Sequence, residues 1–246
     1  MSRWKASFIH LLISLLIVST VAAYIIYFWY PLPLMHMSKA DKLLAMVAGI
    51  DLIIGPLLTL LVYKQGKKTL KMDLTVIAAL QAIFLSMGLY TMYESRPVFL
   101  VASSKMFDLV FATDITPERL AKAPNSFKTL TIARPTLVGV KMPTEFVEKM
   151  NIISSALAGN GDLQTMPQYY VDYQQMVPEI LTNALPLIKS KTLSANALVI
   201  LIKAAEDYGY KPEDVLYMHL GSSRGSAVML VGAKTGEVIG PVNLDI

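Results

Sequence analysis

Cysteine is absent and charge is scarce: Asp, Glu, Lys and Arg together make up 16% of the 246 residues, against about 25% in an ordinary soluble domain. Without cysteine there is no disulfide, thiolate nucleophile or thiolate metal site, which removes thiol redox chemistry. Histidine is limited to His10, His36 and His219, too few and too scattered for a histidine metal cluster. Acids are rarest near the start. Residues 1–92 hold Asp41, Asp51 and Asp73 and no Glu, against Arg3, Lys5, Lys39, Lys42, Lys64, Lys67, Lys68 and Lys71. These cations stand at the ends of apolar runs rather than among stacking aromatics, which disfavours a nucleic-acid surface. What the chain does have is apolar bulk, 54% hydrophobic with a mean hydropathy of +0.50.

No charge falls between Lys5 and Lys39, and the run Ala6 to Tyr30 is long enough to cross a bilayer core of about 30 Å. A cleaved signal peptide would share the basic start and the small residues Val21-Ala22-Ala23. The run nevertheless continues into Tyr27, Phe28, Trp29 and Tyr30, an interfacial anchor, so a retained span is expected. Leu43 to Tyr63, broken only by Asp51, and Leu74 to Tyr93 read as two further spans. The expected organisation is a three-helix transmembrane domain over 1–93 (spans about 6–30, 43–63 and 74–93) and a soluble domain over 94–246. Because excess Lys and Arg stay cytoplasmic, Arg3, Lys5 and the loop carrying Lys64, Lys67, Lys68 and Lys71 place the N-terminus inside. An odd number of spans then puts residues after Tyr93 outside, in a bacterium the periplasm.

A carboxyl near the bilayer centre costs at least ~2.5 kcal/mol and therefore faces the bundle and seeks partners. Asp51 is such a residue. Matching depths suggests Ser86 on the third span and Ser19 on the first as partners. Two readings stay open: a packing hydrogen bond, or a carboxyl that binds a partner or handles a proton. Pro56 after Gly55 cannot donate to Leu52, so the second span should kink, with Gln81 close enough in depth to help satisfy that carbonyl. Gly49 and Gly55 would admit a neighbouring helix, and Thr59 adds a polar group. His10 and Ser14 share one face of the first span and read as packing glue.

Beyond Tyr93 the pattern is α+β with antiparallel strands. Strands are expected at Pro97–Ala102, Met106–Ala112, Thr129–Ala133 and Thr136–Val140. Thr116-Pro117 reads as a cap and first position of a helix, Thr144–Leu157 as a helix closed by Gly159, and Ser194–Tyr208 as one stopped by Gly209. Val215–Leu220, Ala227–Val231 and Glu237–Leu244 read as an antiparallel meander. Gly221-Ser222-Ser223-Arg224-Gly225 could hold an anion but is spaced as a hairpin turn, and His219 beside Ser222 lacks a nucleophile elbow and a paired acid. Tyr169, Tyr170 and Tyr173, in a Met- and Gln-rich stretch, suit either an interface or packing of a loop over the sheet. No cofactor-binding, catalytic or metal-binding set is expected.

The opening Arg3-Trp4-Lys5-Ala6 with Ile9-His10-Leu11-Leu12-Ile13-Ser14, the block Gly49-Ile50-Asp51-Leu52-Ile53-Ile54-Gly55-Pro56-Leu57-Leu58-Thr59, the basic loop Lys67-Lys68-Thr69-Leu70-Lys71, and Ser95-Arg96-Pro97-Val98-Phe99 together resemble the TfpX/TfpZ family of type IV pilin accessory proteins. The match is dense over residues 3–101 and returns around Lys234-Thr235-Gly236. The resemblance implies a non-catalytic inner-membrane accessory that assists assembly of a cognate type IV pilin, with the pilin subunit and the lipid bilayer as partners and no small-molecule substrate. Tyr169, Tyr170 and Tyr173 are then candidate pilin contacts. The same topology would serve a tethered sensor or a structural subunit of another envelope machine, and a pilin-modifying enzyme is disfavoured by the missing acid pairs and metal clusters. Reporter fusions test the topology: a fusion at Lys67 should be active in the cytoplasm and one at Lys234 in the periplasm, and the reverse at Lys234 would overturn it.

Overall fold

The computed structural model describes residues 2–188, 190 and 193–244. Helix α1 spans Arg3–Tyr24; the Ser2 side chain caps it by accepting from the Lys5 amide at 3.3 Å. It runs on as a π-helical turn over Ile25–Trp29 and ends at Tyr30, where the following Pro31 disfavours further helix. A short helix α2 (Leu32–Met37) and a left-handed turn at Lys39 (φ 56°) lead into α3 (Ala40–Gly49). A second π turn (Ile50–Ile54) joins α3 to α4 (Gly55–Val62), and α5 (Leu70–Glu94) follows the basic loop.

Three continuous helical stretches, Arg3–Trp29, Ala40–Val62 and Leu70–Glu94, of 27, 23 and 25 residues, exceed the ~20 residues that a bilayer core needs. Only 17%, 28% and 11% of their most apolar windows are buried within the protein. Leu16, Leu61 and Met87 instead point outward at 71%, 72% and 61% exposure, an inside-out distribution that lipid satisfies and water does not. Exposed hydroxyls on the spans return to their own helix, as Thr20 to the Leu16 carbonyl and Thr91 to the Met87 carbonyl, both in the range 2.8–2.9 Å. The chain is a membrane protein with a soluble α+β domain.

That domain is built on one sheet. Its strands are β1 (Pro97–Ala102), β2 (Phe107–Phe111), β3 (Thr136–Val140), β4 (Tyr170–Val171), β5 (Leu185–Pro186), β6 (Val215–Ser222), β7 (Ala227–Gly232) and β8 (Val238–Val242). The order is β4-β3-β1-β2-β6-β7-β8, with β5 also pairing β6. The β6-β7-β8 meander and the β1-β2 hairpin are antiparallel as expected, while β1 pairs β3 and β2 pairs β6 in parallel, so the sheet is mixed. Helices α6 (Pro117–Ala121), α7 (Phe146–Leu157), α8 (Val177–Asn183) and α9 (Ala195–Asp207) complete the domain. Thr116 caps α6 by accepting from the Arg119 amide, and Gly159 and Gly209 take the positive φ that ends α7 and α9.

Period-two alternation separates two buried faces of the sheet. Phe107, Leu109 and Phe111 of β2 join Met218, Leu220 and Met229 on one face beneath Ile180 of α8, and truncating either phenylalanine to alanine would cost about 3–5 kcal/mol. Leu34 and Met37 of α2 belong to that same cluster, so the loop between the first two spans packs into the sheet. On the other face, Val101, Val110, Val138 and Tyr170 form one cluster, and Tyr217, Val228 and Leu230 form another beneath Leu201 and Ala205 of α9.

The segment Thr129–Ala133 is not a strand. Its carbonyls serve side chains where the spans meet the domain instead: Trp29 Nε1, at the end of the first span, donates to Ile132 O at 3.1 Å, and Arg96 Nε, just after the third, to Thr131 O at 2.9 Å. A strand there would need those acceptors for a neighbouring ladder.

Candidate intramembrane site

Pro56 has no N–H, so the turn preceding it loses a helical donor. The second span answers by widening into the π turn Ile50–Ile54, which carries Asp51 inward at 4% exposure. Gln81 of α5 reaches this turn, with Nε2 donating to Asp51 O at 3.1 Å and to Asp51 Oδ1 at 3.5 Å. Its other amide atom, Oε1, meets His10 Nε2 of α1 at 2.7 Å. His10 Nδ1 lies 2.6 Å from Thr59 Oγ1 of α4, and Ser7 Oγ donates to Pro56 O at 2.8 Å. Donor directions close without conflict for a neutral imidazole: Thr59 O–H donates to Nδ1, Nε2–H to Gln81 Oε1, and Gln81 N–H to Asp51. Each span contributes to one chain of hydrogen bonds.

Small residues allow the approach. A Cβ at Gly55 would lie 2.1 Å from Gln81 Nε2, and one at Gly88 would lie 2.4 Å from Val47 Cγ2. Gly49 faces open space, with nothing within 4 Å of a Cβ placed there, so Gly88 rather than Gly49 is the close-approach glycine. Ser86 and Ser19 are exposed on the outer faces of their helices, and the Asp51 partner is Gln81. Counting depth along straight helices does not include the π turn, which rotates Asp51 towards α1 and α5.

α4 packs against both α1 and α5. Above Asp51 the first and third spans part to leave a lateral cleft of about 200 Å³, lined by Ile13, Ser14, Ile17 and Val18 of α1 and Ala78, Ala82 and Leu85 of α5, with His10, Asp51 and Gln81 as its polar floor. Its walls are apolar, with Ser14, Ala78 and Ala82 as small residues among Ile13, Ile17, Val18 and Leu85, a texture that a further helix can pack against in lipid, where apolarity alone gives no driving force.

In the soluble domain, Tyr170 and Tyr173 are buried, at 3% and 8% exposure. The Tyr170 hydroxyl donates to Gln164 O and that of Tyr173 to Gly236 O. Burial pushes the Tyr173 hydroxyl up to about 12 and raises Tyr170 further. Both act as core side chains, leaving Tyr169 partly exposed. Burial, then the charges of Glu148 and Glu145 at the start of α7, raise the Tyr169 hydroxyl above its ordinary value. That helix carries an apolar stripe not anticipated from the pattern: Phe146, Met150, Ile153 and Leu157, at 73%, 43%, 44% and 85% exposure. Its i, i+4, i+7, i+11 spacing was the available signal. Arg224 is a clamp rather than an anion site: Nη1 donates to Ser95 O at 2.9 Å, and the guanidinium lies 3.7 Å from the Phe111 ring centroid. Ser222 Oγ accepts from the Arg224 and Gly225 amides and holds the hairpin turn.

Comparison with known proteins gives concordant results. The family model described as fimbrial assembly protein FimB matches residues 1–39. Two fimbrial assembly proteins of Dichelobacter nodosus, of serogroups E1 and I, are each 26% identical over 244 residues, covering 98% of this chain and 95% of theirs. A third, of serogroups C1 and C2, is 31% identical over 121 residues, which are 48% of this chain and 92% of that protein. No solved structure matches.

The hydrogen-bond chain makes a mutational prediction. Gln81→Leu should lower the stability of the full-length protein in bilayers by about 0.6–2 kcal/mol. Gly55→Ala breaks the same bonds by displacing the Gln81 amide, so it should cost a similar amount alone and almost nothing in a Gln81→Ala background, where both the amide and the carbon it would clash with are gone. Asp51→Asn, which keeps the Oδ1 acceptor, should be tolerated. Additive costs in a double-mutant cycle would contradict the shared network.

Proposed function

The chain belongs to the fimbrial assembly protein family, and from that premise we propose that it is a non-catalytic inner-membrane accessory that binds a cognate type IV pilin and assists its assembly into pili. The reading keeps the N-terminus in the cytoplasm and divides the chain into a membrane domain, 1–93, and a periplasmic domain, 94–246, with α2 reaching across into the second. It is also the role implied by the resemblance to the TfpX/TfpZ accessories.

One observation carries the binding mode: the lateral cleft between the first and third spans, walled by Ser14, Ala78 and Ala82 and floored by Asp51, His10 and Gln81. A cleft of this size takes a few side chains of a single apolar helix laid across its mouth, and small residues on that helix's near face would let the backbones approach, because close packing and polar bonds are what associate helices in lipid. A pilin waiting in the membrane presents a helix of that kind together with a globular head. Apolar helices offer little to discriminate by, so choice of pilin falls to the periplasmic domain, with Tyr169 and the α7 stripe as its contact surface.

A photoreactive residue placed at Ala82, inside the cleft, should capture pilin in membranes that contain both proteins. The same residue at Leu61, which is 72% exposed on the second span, should not. Equal capture from both positions, or none from Ala82 in a normally accumulating protein, would overturn the assignment.

A further inference from the structure

The soluble domain holds a second opening that the pilin-binding reading does not use. On the face of the sheet opposite α8, one cluster ends at Val101 and Val110, and the other begins at Tyr217 and Val228. Between them runs the parallel seam of β2 and β6, where Asp108 is the register partner of Gly221. The seam floors a pocket of about 770 Å³ whose far wall is α6, the end of α7 and the turn Gly159–Thr165.

Asp108 is 92% buried by its 8% exposure, lines this pocket, and among the described residues accepts no hydrogen bond and makes no ion pair. Its carboxylate is reached from the pocket rather than sealed off, Gln168 Oε1 being the one fully enclosed side-chain atom without a partner among the described residues, so a group that enters the pocket can supply the donor that Asp108 lacks. Burial first, and the charge of Asp162 second, hold its carboxyl well above the ordinary range, at about 6. Gly221 supplies the space: a Cβ built there would fall 3.3 Å from Asp108 Oδ1 and 3.6 Å from His219 Nε2. The neighbouring charged groups are already engaged. Asp114 accepts from the Phe111 amide and from Ser223. Arg119 is tied to Thr165, Ser155 and the Asn160 carbonyl, and Asp162 accepts from the Leu163 amide. Neither Arg119 nor His219, whose Nε2 lies on the same floor, bonds Asp108, and no lysine lines the pocket.

We propose that this pocket is a receptor for a basic side chain, the ammonium of a lysine or the guanidinium of an arginine, presented by a polypeptide partner and paired with Asp108. A charge-assisted bond to a desolvated carboxylate is stronger than a neutral one. The size of the pocket suits a long side chain with a terminal charge. A bare metal ion suits it less, because among the described residues no three His, Asp or Glu side chains converge at metal-ligand spacing. The pocket binds such a group whether or not the partner is a pilin, so probe binding tests it independently of the pilin reading.

The test titrates full-length protein in nanodiscs with N-acetyl-argininamide and N-acetyl-lysinamide, using N-acetyl-norleucinamide as the neutral control. Saturable binding of a basic probe is expected, with Kd on the order of 1 mM. It should weaken tenfold or more in Asp108→Asn and remain unchanged in Asp214→Asn, whose surface carboxylate pairs with Lys234. Should Asp108→Asn fail to fold, Gly221→Ala serves instead: it narrows the space beside the carboxylate without removing charge, and it should weaken binding likewise. Undiminished binding in the folded variant, no saturable binding to the native protein, binding of the norleucine control as tight as that of the basic probes, or Asp108-dependent binding of Ca²⁺ in preference to them would overturn the proposal.

Discussion

Inside lipid, a backbone carbonyl that loses its helical donor has no water to turn to, and Pro56 creates that situation in the middle of the second span. The rest of the membrane domain follows from how the vacancy is handled. The helix widens into the Ile50–Ile54 π turn, whose register sets Pro56 against the Asp51 carbonyl rather than the expected Leu52 one, the turn brings Asp51 inward, and Gln81 crosses from the third span to bond both the carbonyl and the carboxyl of Asp51. Gly55 leaves room for that amide, and His10 ties its other end to the first span. Polar satisfaction thus fixes the spacing of three helices whose outward surfaces are otherwise interchangeable, and the cleft between the first and third is a consequence of that spacing.

A second set of contacts mounts the soluble domain on the bundle. Trp29, Tyr27 and Tyr93, at the ends of the spans nearest the soluble domain, meet the segment 131–134 and its neighbours: Trp29 donates to Ile132, Arg134 lies 5.2 Å from the Tyr27 ring centroid, and Arg96 lies 3.9 Å from that of Tyr93. Arg224 joins the β6–β7 turn to the end of α5, and Gly225 lies so close to α2 that a Cβ would fall 2.9 Å from Met37 O. With Leu34 and Met37 buried under the sheet, the domain is joined to the bundle at several separated points rather than through one linker. A partner that touched both the cleft and α7 would meet surfaces held in a set relation.

Much of this was legible in the amino-acid pattern, for physical reasons that can be named. Long uncharged runs admit few conformations in lipid, so the spans read directly. Thr116-Pro117, Gly159 and Gly209 are local signals whose meaning does not depend on distant residues, and the first starts a helix and the other two end helices where expected. The Asp51 partner was not legible, because a π turn changes the rotational phase of one helix against its neighbours and periodicity carries no trace of it. Parallel pairing of β1 with β3 and of β2 with β6 depends on long connections that pattern does not order. Thr129–Ala133 has strand composition, yet Trp29 and Arg96 take its carbonyls, a tertiary competition absent from any local window. Asp108 reads as one acid in an apolar strand, and only the missing side chain of Gly221 on a distant strand turns it into the floor of a pocket.

The dependence of the cleft on the hydrogen-bond chain can be measured as a distance. Spin labels at Ile17 and Leu85, which line opposite walls, would report the separation of the first and third spans by pulsed EPR in bilayers. A single narrow distribution is expected in the otherwise native protein, and a broad or shifted one once Gln81 is replaced by leucine. Superimposable distributions would mean that the network does not set the spacing, and would contradict the central claim.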